Sequence, residues 1–166
     1  TGAIRSVAGV DVPDFTQLAL GLVLASDATV GRDLSVVGDP TEAALVVLAG
    51  KLGVDAEETR RAYPRLAEVP FDSDYKFMAT FHEVELDGAT RTIELVKGAP
   101  DVVLGRCSST GLVRGPSRMS DESRAAIEAA NARMGGKGLR VLAFAARLLD
   151  AADATTMGSD PMALTQ

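Results

Sequence analysis

The chain has 166 residues, 46% of them hydrophobic and 24% charged, the balance of one compact domain rather than of a disordered segment. A formal net charge of −6 repels nucleic acid and anionic lipid, so neither is an expected partner, and any bound anion needs a local pocket of Lys and Arg. One cysteine, Cys107, and one histidine, His82, exclude an internal disulfide and cysteine-cluster zinc sites, and nothing near His82 supports a Ser-His-Asp or Cys-His set.

With no Trp and 4% aromatics, aliphatic side chains must fill the core. The longest apolar runs, 18–25 and 43–50, are well short of the roughly twenty residues of a membrane span. The opening Thr1-Gly2-Ala3-Ile4-Arg5 does not read as a signal peptide, and the chain reads as a piece of something longer.

Residues 13–26 carry apolar positions at Phe15, Leu18, Ala19, Leu22 and Val23, one face of a helix. A polar loop, 27–33, follows. Asp39-Pro40-Thr41-Glu42 opens a second helix, with Asp39 as N-cap, Pro40 at the first position and Glu42 where a capping box places its acid. Leu45, Leu48, Ala49 and Leu52 are its expected buried face, and Gly53 its stop. A short third helix starts at Asp55 and ends near Tyr63-Pro64. The period then changes to two. Residues 66–70 read as extended, 77–85 as a strand, Asp87-Gly88 as a hairpin turn and 91–97 as the return strand. Residues 100–106 read as a short helix and 108–119 as a loop. Ser120 caps a helix reaching Met134. Residues 139–147 read as a fully buried strand, and 150–166 as a loop or tail. Antiparallel strands with helices between them predict an α+β domain, an antiparallel β-sheet flanked by helices, with its core over about 13–148.

Four segments carry possible chemistry. In Gly38-Asp39-Pro40-Thr41-Glu42-Ala43-Ala44-Leu45, Glu42 either closes a capping box or turns outward to accept a hydrogen bond from an exocyclic amino group. In Pro70-Phe71-Asp72-Ser73-Asp74-Tyr75-Lys76-Phe77-Met78, Phe71 is either a core anchor or a stacking platform with Lys76 as a nearby cation; Asp72 and Asp74 read as solvated loop charges. In Val96-Lys97-Gly98-Ala99-Pro100-Asp101, Pro100 and Asp101 suit a helix start, while Lys97 ends an apolar strand and Gly98 lets a ligand approach the backbone. In Gly138-Leu139-Arg140-Val141-Leu142-Ala143-Phe144-Ala145, Arg140 needs water, a carboxylate or a phosphate as partner. Two of the four lysines fall in these loops, which suits an anion site in an acidic chain. The run Gly135-Gly136-Lys137-Gly138 lacks the spacing of a phosphate loop and follows a helix, so it is set aside.

In this order, GDPTEAAL, PFDSDYKFM, VKGAPD and GLRVLAFAAR resemble the nucleotide-binding domain of P-type cation-transporting ATPases, in the branch of the calcium and sodium pumps. The resemblance covers roughly residues 15–148 and treats 1–166 as a single nucleotide-binding domain. It implies that Glu42 meets the adenine amino group and Phe71 stacks on adenine. It places Lys97 deep beside the base, Lys76 near its edge and Gly98 in the same turn, with Arg140 reaching the phosphates and Leu142 as an apolar wall. Where some members carry an arginine two positions after the stacking Phe, this chain carries Ser73. The motifs DKTGT, GDGxND and TGE do not occur in the chain.

The resemblance therefore implies a cytoplasmic domain of a membrane-embedded parent. Such a domain holds ATP by the adenine and presents the γ-phosphate to an aspartate on a separate phosphorylation domain. ATP and the phosphorylation and actuator domains of the same parent are its partners, and Mg²⁺ arrives with ATP. On this reading the isolated domain is a monomer without membrane contact and no enzyme, while its parent is an ATPase. The alternative is a degenerate domain of the same fold that regulates or docks without nucleotide. A standalone enzyme using Asp72 or Asp74 as acid or base lacks a partner base or metal.

Overall fold

The computed structural model describes residues 14–31, 33, 35–111 and 115–165. The opening pentapeptide, the expected helix start at Pro13 and parts of the expected loops at 27–33 and 108–119 lie outside them. Two compact units divide the chain, Thr1–Pro64 and Arg65–Gln166.

The first unit is helical. Helix α1 (Thr16–Leu24) buries Ala19, Gly21, Leu22, Val23 and Leu24. A two-stranded antiparallel ribbon, β1 (Thr29–Val30) and β2 (Val36–Val37), follows. Helix α2 (Pro40–Lys51) begins as its sequence dictates: Asp39 Oδ1 accepts from the amides of Thr41 (2.8 Å) and Glu42 (3.1 Å), with Pro40 in the first turn. Its buried residues are Ala43, Val46 and Ala49, whereas Leu48 is 38% exposed. Of the expected face, Ala49 is fully buried and Leu45 and Leu52 are half-buried, while Leu48 turns outward and Ala43 and Val46 take inner positions. Helix α3 (Ala56–Ala62) is capped by Asp55, which accepts from Glu58 N at 2.8 Å. From it Arg60 donates to the carbonyls of Ser26 (2.9 Å) and Ala28 (2.8 Å), tying the helix to the loop after α1.

The second unit is an α+β sandwich of one sheet and its helices. Strands β3 (Arg65–Asp72), β4 (Phe77–Leu86), β5 (Ala89–Gly98) and β8 (Ala143–Leu148) form an antiparallel sheet in the order β3-β4-β5-β8. The β4–β5 hairpin turns on Asp87 (φ 53°) and Gly88 (φ 76°), the two left-handed residues that a tight hairpin turn demands and that Asp-Gly supplies. One sheet face places Val69, Phe77, Ala79, Phe81 and Val96 in a core closed by Val103 and Leu149. Val103 belongs to α4 (Pro100–Arg106). A short ribbon, β6 (Ser109–Thr110) with β7 (Ser117–Arg118), precedes α5 (Asp121–Gly135), which Ser120 caps and which buries none of its residues.

Two expectations are corrected here. The strand expected at 139–147 starts only at Ala143, because its partner β5 ends at Gly98, whose ladder partner is Ala143. As the edge strand it is half-buried to exposed rather than fully buried. The expected loop or tail at 150–166 contains α6 (Ala151–Ser159), capped by Asp150 through Asp153 N at 2.8 Å, and a 3-10 segment, Pro161–Thr165. The Ala/Thr composition hid these elements, since the helix packs against the core through Met157 alone and the 3-10 segment through Met162 and Leu164. Cys107 is half-buried and His82, on β4, is 2% exposed. The Cys107 thiol donates to Val103 O, and burial pushes its pKa up, away from the reactive thiolate.

Candidate functional site

The turn between β3 and β4 is tightly built. Asp72 O accepts from Lys76 N (2.7 Å), and Asp72 Oδ1 accepts from Asp74 N (2.7 Å). Lys76 takes a left-handed φ of 60°, and its carbonyl accepts from Ala99 N (2.9 Å). This contact explains Gly98. A Cβ at Gly98 would overlap Lys76 O and lie 2.6 Å from Phe77 Cβ. The glycine admits the neighbouring strand, and so locks the Lys76 turn against the end of β5.

Phe71, at the end of β3, is 58% exposed. It is therefore not a core anchor; the aromatic anchors of this sheet are Phe77 and Phe81, both fully buried. Tyr75 is also exposed, at 47%, and its ring centroid lies 6.1 Å from that of Phe77. Lys76 and Ser73 are exposed in the same turn.

Lys97 is only 5% exposed. The ladder sets it between Met78 on β4 and Phe144 on β8, on the sheet face opposite Phe77 and Val96. An ammonium buried to that extent is held by partners, and its alkyl stem packs among apolar neighbours. Leu142 is half-buried and Arg140 exposed, two and four residues before Phe144, in the segment that runs into β8.

Glu42 lies in the first unit. Asp39 caps α2 through the amides of Thr41 and Glu42. Glu42 Oε2 accepts from the amides of Asp27 (2.7 Å) and Ala28 (3.1 Å), holding the loop after α1. The outward orientation toward an amino group and the capping role were the two sequence alternatives; this loop clamp is a third, set by residues fourteen and fifteen positions away.

A groove runs beside Phe71 and Tyr75, with Asp160, Pro161 and Met162 on its other side. Its rim carries Glu68, Asp72 and Asp160 and no Lys or Arg. Glu68 is paired with Arg65, while Lys97 and Arg140 lie toward β5 and β8. Sequence reasoning passed over Tyr75 and Arg106, whose guanidinium carbon sits 4.6 Å from the Phe77 ring centroid. An aromatic two residues before another in a turn was the available signal for Tyr75. Nothing local marked Arg106. Among the described residues no group of three or more His, Cys, Asp or Glu could hold a metal, and no helix is long and apolar enough to cross a membrane.

A family model described as the P-type ATPase cytoplasmic domain N matches residues 14–164. A calcium-transporting ATPase of Lactococcus lactis is 36% identical over 140 residues, 81% of this chain and 16% of that protein. A cation-transporting ATPase of Synechocystis is 44% identical over 120 residues, 72% of this chain and 12% of that protein. The sodium/potassium-transporting ATPase subunit alpha-1 of Oreochromis mossambicus is 37% identical over 109 residues, 66% of this chain and 11% of that protein. The chain thus spans between a tenth and a sixth of the length of these relatives. The antiparallel sheet with its flanking helices and a match over nearly the whole chain lead to one conclusion: the chain belongs to the family of cytoplasmic N domains of P-type ATPases.

Proposed function

We propose that this domain binds ATP by its base and holds the γ-phosphate toward an aspartate on a separate phosphorylation domain of a cation-transporting parent. The observation that carries the reading is Phe71, a large aromatic ring kept 58% exposed beside a turn that Gly98 and Ala99 lock in place. An exposed ring on a rigid edge suits stacking against a base, which contributes roughly 1–3 kcal/mol. Lys97 supplies charge from the sheet face, with Leu142 as an apolar wall; exposed Lys76 stands near the edge of the base and exposed Arg140 is the cation available to the phosphates. Mg²⁺ enters as part of MgATP, the substrate. The chain's own work is to bind and orient, and phosphoryl transfer depends largely on such positioning.

The relatives named as calcium, cation and sodium/potassium transporters support a parent in the calcium- and sodium-pump branch, where the other partners of this domain are the phosphorylation and actuator domains. One stack and a few cations on an open surface give a dissociation constant of about 0.1–5 mM. Titrating MgATP into the ¹⁵N-labelled chain tests this. Saturating shifts at Phe71, Lys76, Lys97, Gly98, Arg140 and Leu142 are expected. Unmoved amides at ~10 mM ATP contradict it, and leave a domain of this fold that regulates or docks without nucleotide.

A further inference from the structure

We propose that Arg106 is a positioning residue for the base end of the nucleotide, acting through Phe77 on the turn that carries Phe71 and Lys76; this rests on the nucleotide reading above. Arg106 ends α4. Its guanidinium lies 4.6 Å over the centroid of the Phe77 ring, and its Nε donates to Thr165 O at 2.9 Å. A second nitrogen donates to Val102 O at 3.2 Å, within the same helix. The planar, forked guanidinium makes all three contacts from one position, which a lysine ammonium cannot do.

Phe77 is the residue after Lys76, is fully buried, and meets the Tyr75 ring. The turn it anchors holds a non-glycine residue at positive φ, a conformation that persists only when its surroundings enforce it. Helix α4 supplies that enforcement at both ends. Ala99 N, at its start, binds Lys76 O, and Arg106, at its end, clamps the Phe77 ring. Arg106 also ties down the 3-10 segment, whose Pro161 and Met162 form the far side of the groove beside Phe71 and Tyr75. Phe77 faces the core and Lys97 the opposite face of the sheet, so Arg106 acts across the sheet from Lys97, without touching a ligand held there.

The test uses the 166-residue chain and its Arg106→Ala and Arg106→Lys variants, at a temperature where melts show each to be folded. Amide shifts of residues 71–76 are recorded without ligand, and then MgATP and adenosine are titrated. The turn amides are expected to move. Both ligands are expected to weaken together, about fivefold in Arg106→Ala and less in Arg106→Lys, the scale of one cation–π contact and one hydrogen bond. A purely coulombic role would weaken ATP and spare adenosine. Unmoved turn amides, or unchanged adenosine affinity, overturn the proposal. Should Arg106→Ala not fold, Arg106→Lys decides, because it keeps the charge and stem and loses the stacking plane. Phe71→Ala in parallel separates the two readings. If it leaves both ligands unchanged, the nucleotide reading fails by itself, and the turn amides still decide the role of Arg106.

Discussion

Removing the Glu42 carboxylate strands two backbone amides, those of Asp27 and Ala28, and Ala28 is fully buried. An unsatisfied buried donor costs about 1–3 kcal/mol, so Glu42→Ala is expected to lower unfolding stability by that amount in urea titrations. A variant as stable as the wild type would show that the clamp contributes nothing. The adenine role that the family resemblance implies is separable from this one. A carboxylate accepts from the amino group of adenine but faces the carbonyl oxygen of guanine, so a contact there favours ATP over GTP by roughly 1–3 kcal/mol. Glu42→Ala removes that preference if the contact exists, whereas a loop clamp alone leaves the ATP/GTP ratio unchanged. Sequence reasoning saw Asp39 correctly as a cap because capping is local. It missed what Glu42 holds because the two amides lie on another element.

At the scale of elements, the start of β4 and the end of β5 carry the proposed site, and two changes probe these strands. Gly98→Ala forces a methyl against Lys76 O and Phe77, and overpacking of this kind costs about 1–3 kcal/mol. The expected result is a lower melting temperature together with weaker ATP binding, since the Lys76 turn must shift; an unchanged melt would show that the strands part freely. The second change concerns Glu94 on β5. Its carboxylate is 3% exposed and pairs with Arg147 on β8, which also donates to Leu164 O (2.7 Å). Burial raises its pKa above the ordinary 4.5, and Arg147 opposes the shift only in part. A raised folded-state pKa means that the folded chain binds this proton more tightly than the unfolded chain. Glu94 therefore contributes stability that is fully present below about 4.5 and is lost as pH rises through the folded value. Relative to Glu94→Gln, the wild type is expected to gain melting temperature as pH falls from neutral toward 4.5. Parallel melting curves for the two proteins across that range would contradict it.

On the scale of the whole molecule, local chemistry was legible and long-range geometry was not. Asp39-Pro40, Asp87-Gly88 and Ser120 each fix a helix start or a turn through neighbours a few residues away, and the structure places these features where the sequence put them. The start of β8 depends on where β5 stops, the need for glycine at 98 depends on Lys76 O, and the Arg106–Phe77 contact joins residues on α4 and β4. None of these follows from periodicity. The candidate site divides the same way. The order of the four segments pointed to Phe71, Lys76, Lys97 and Arg140. That Phe71 is exposed while Lys97 is buried is a property of the folded sheet alone. In a chain of net charge −6 the groove beside Phe71 adds Glu68, Asp72 and Asp160 to its lining, so the proposed phosphate end is placed on the β5–β8 side, where Lys97 and Arg140 lie.

The most direct test is a calorimetric titration of MgATP into the wild-type chain and into Phe71→Ala, with a thermal melt of each. The account predicts a wild-type dissociation constant of about 0.1–5 mM. Binding in Phe71→Ala should be weaker by the stacking contribution, ~1–3 kcal/mol, with a nearly unchanged melting temperature, because the ring is 58% exposed. Equal ATP affinity in the two proteins, or a melt lowered by the roughly 3–5 kcal/mol of a lost core aromatic, would contradict it.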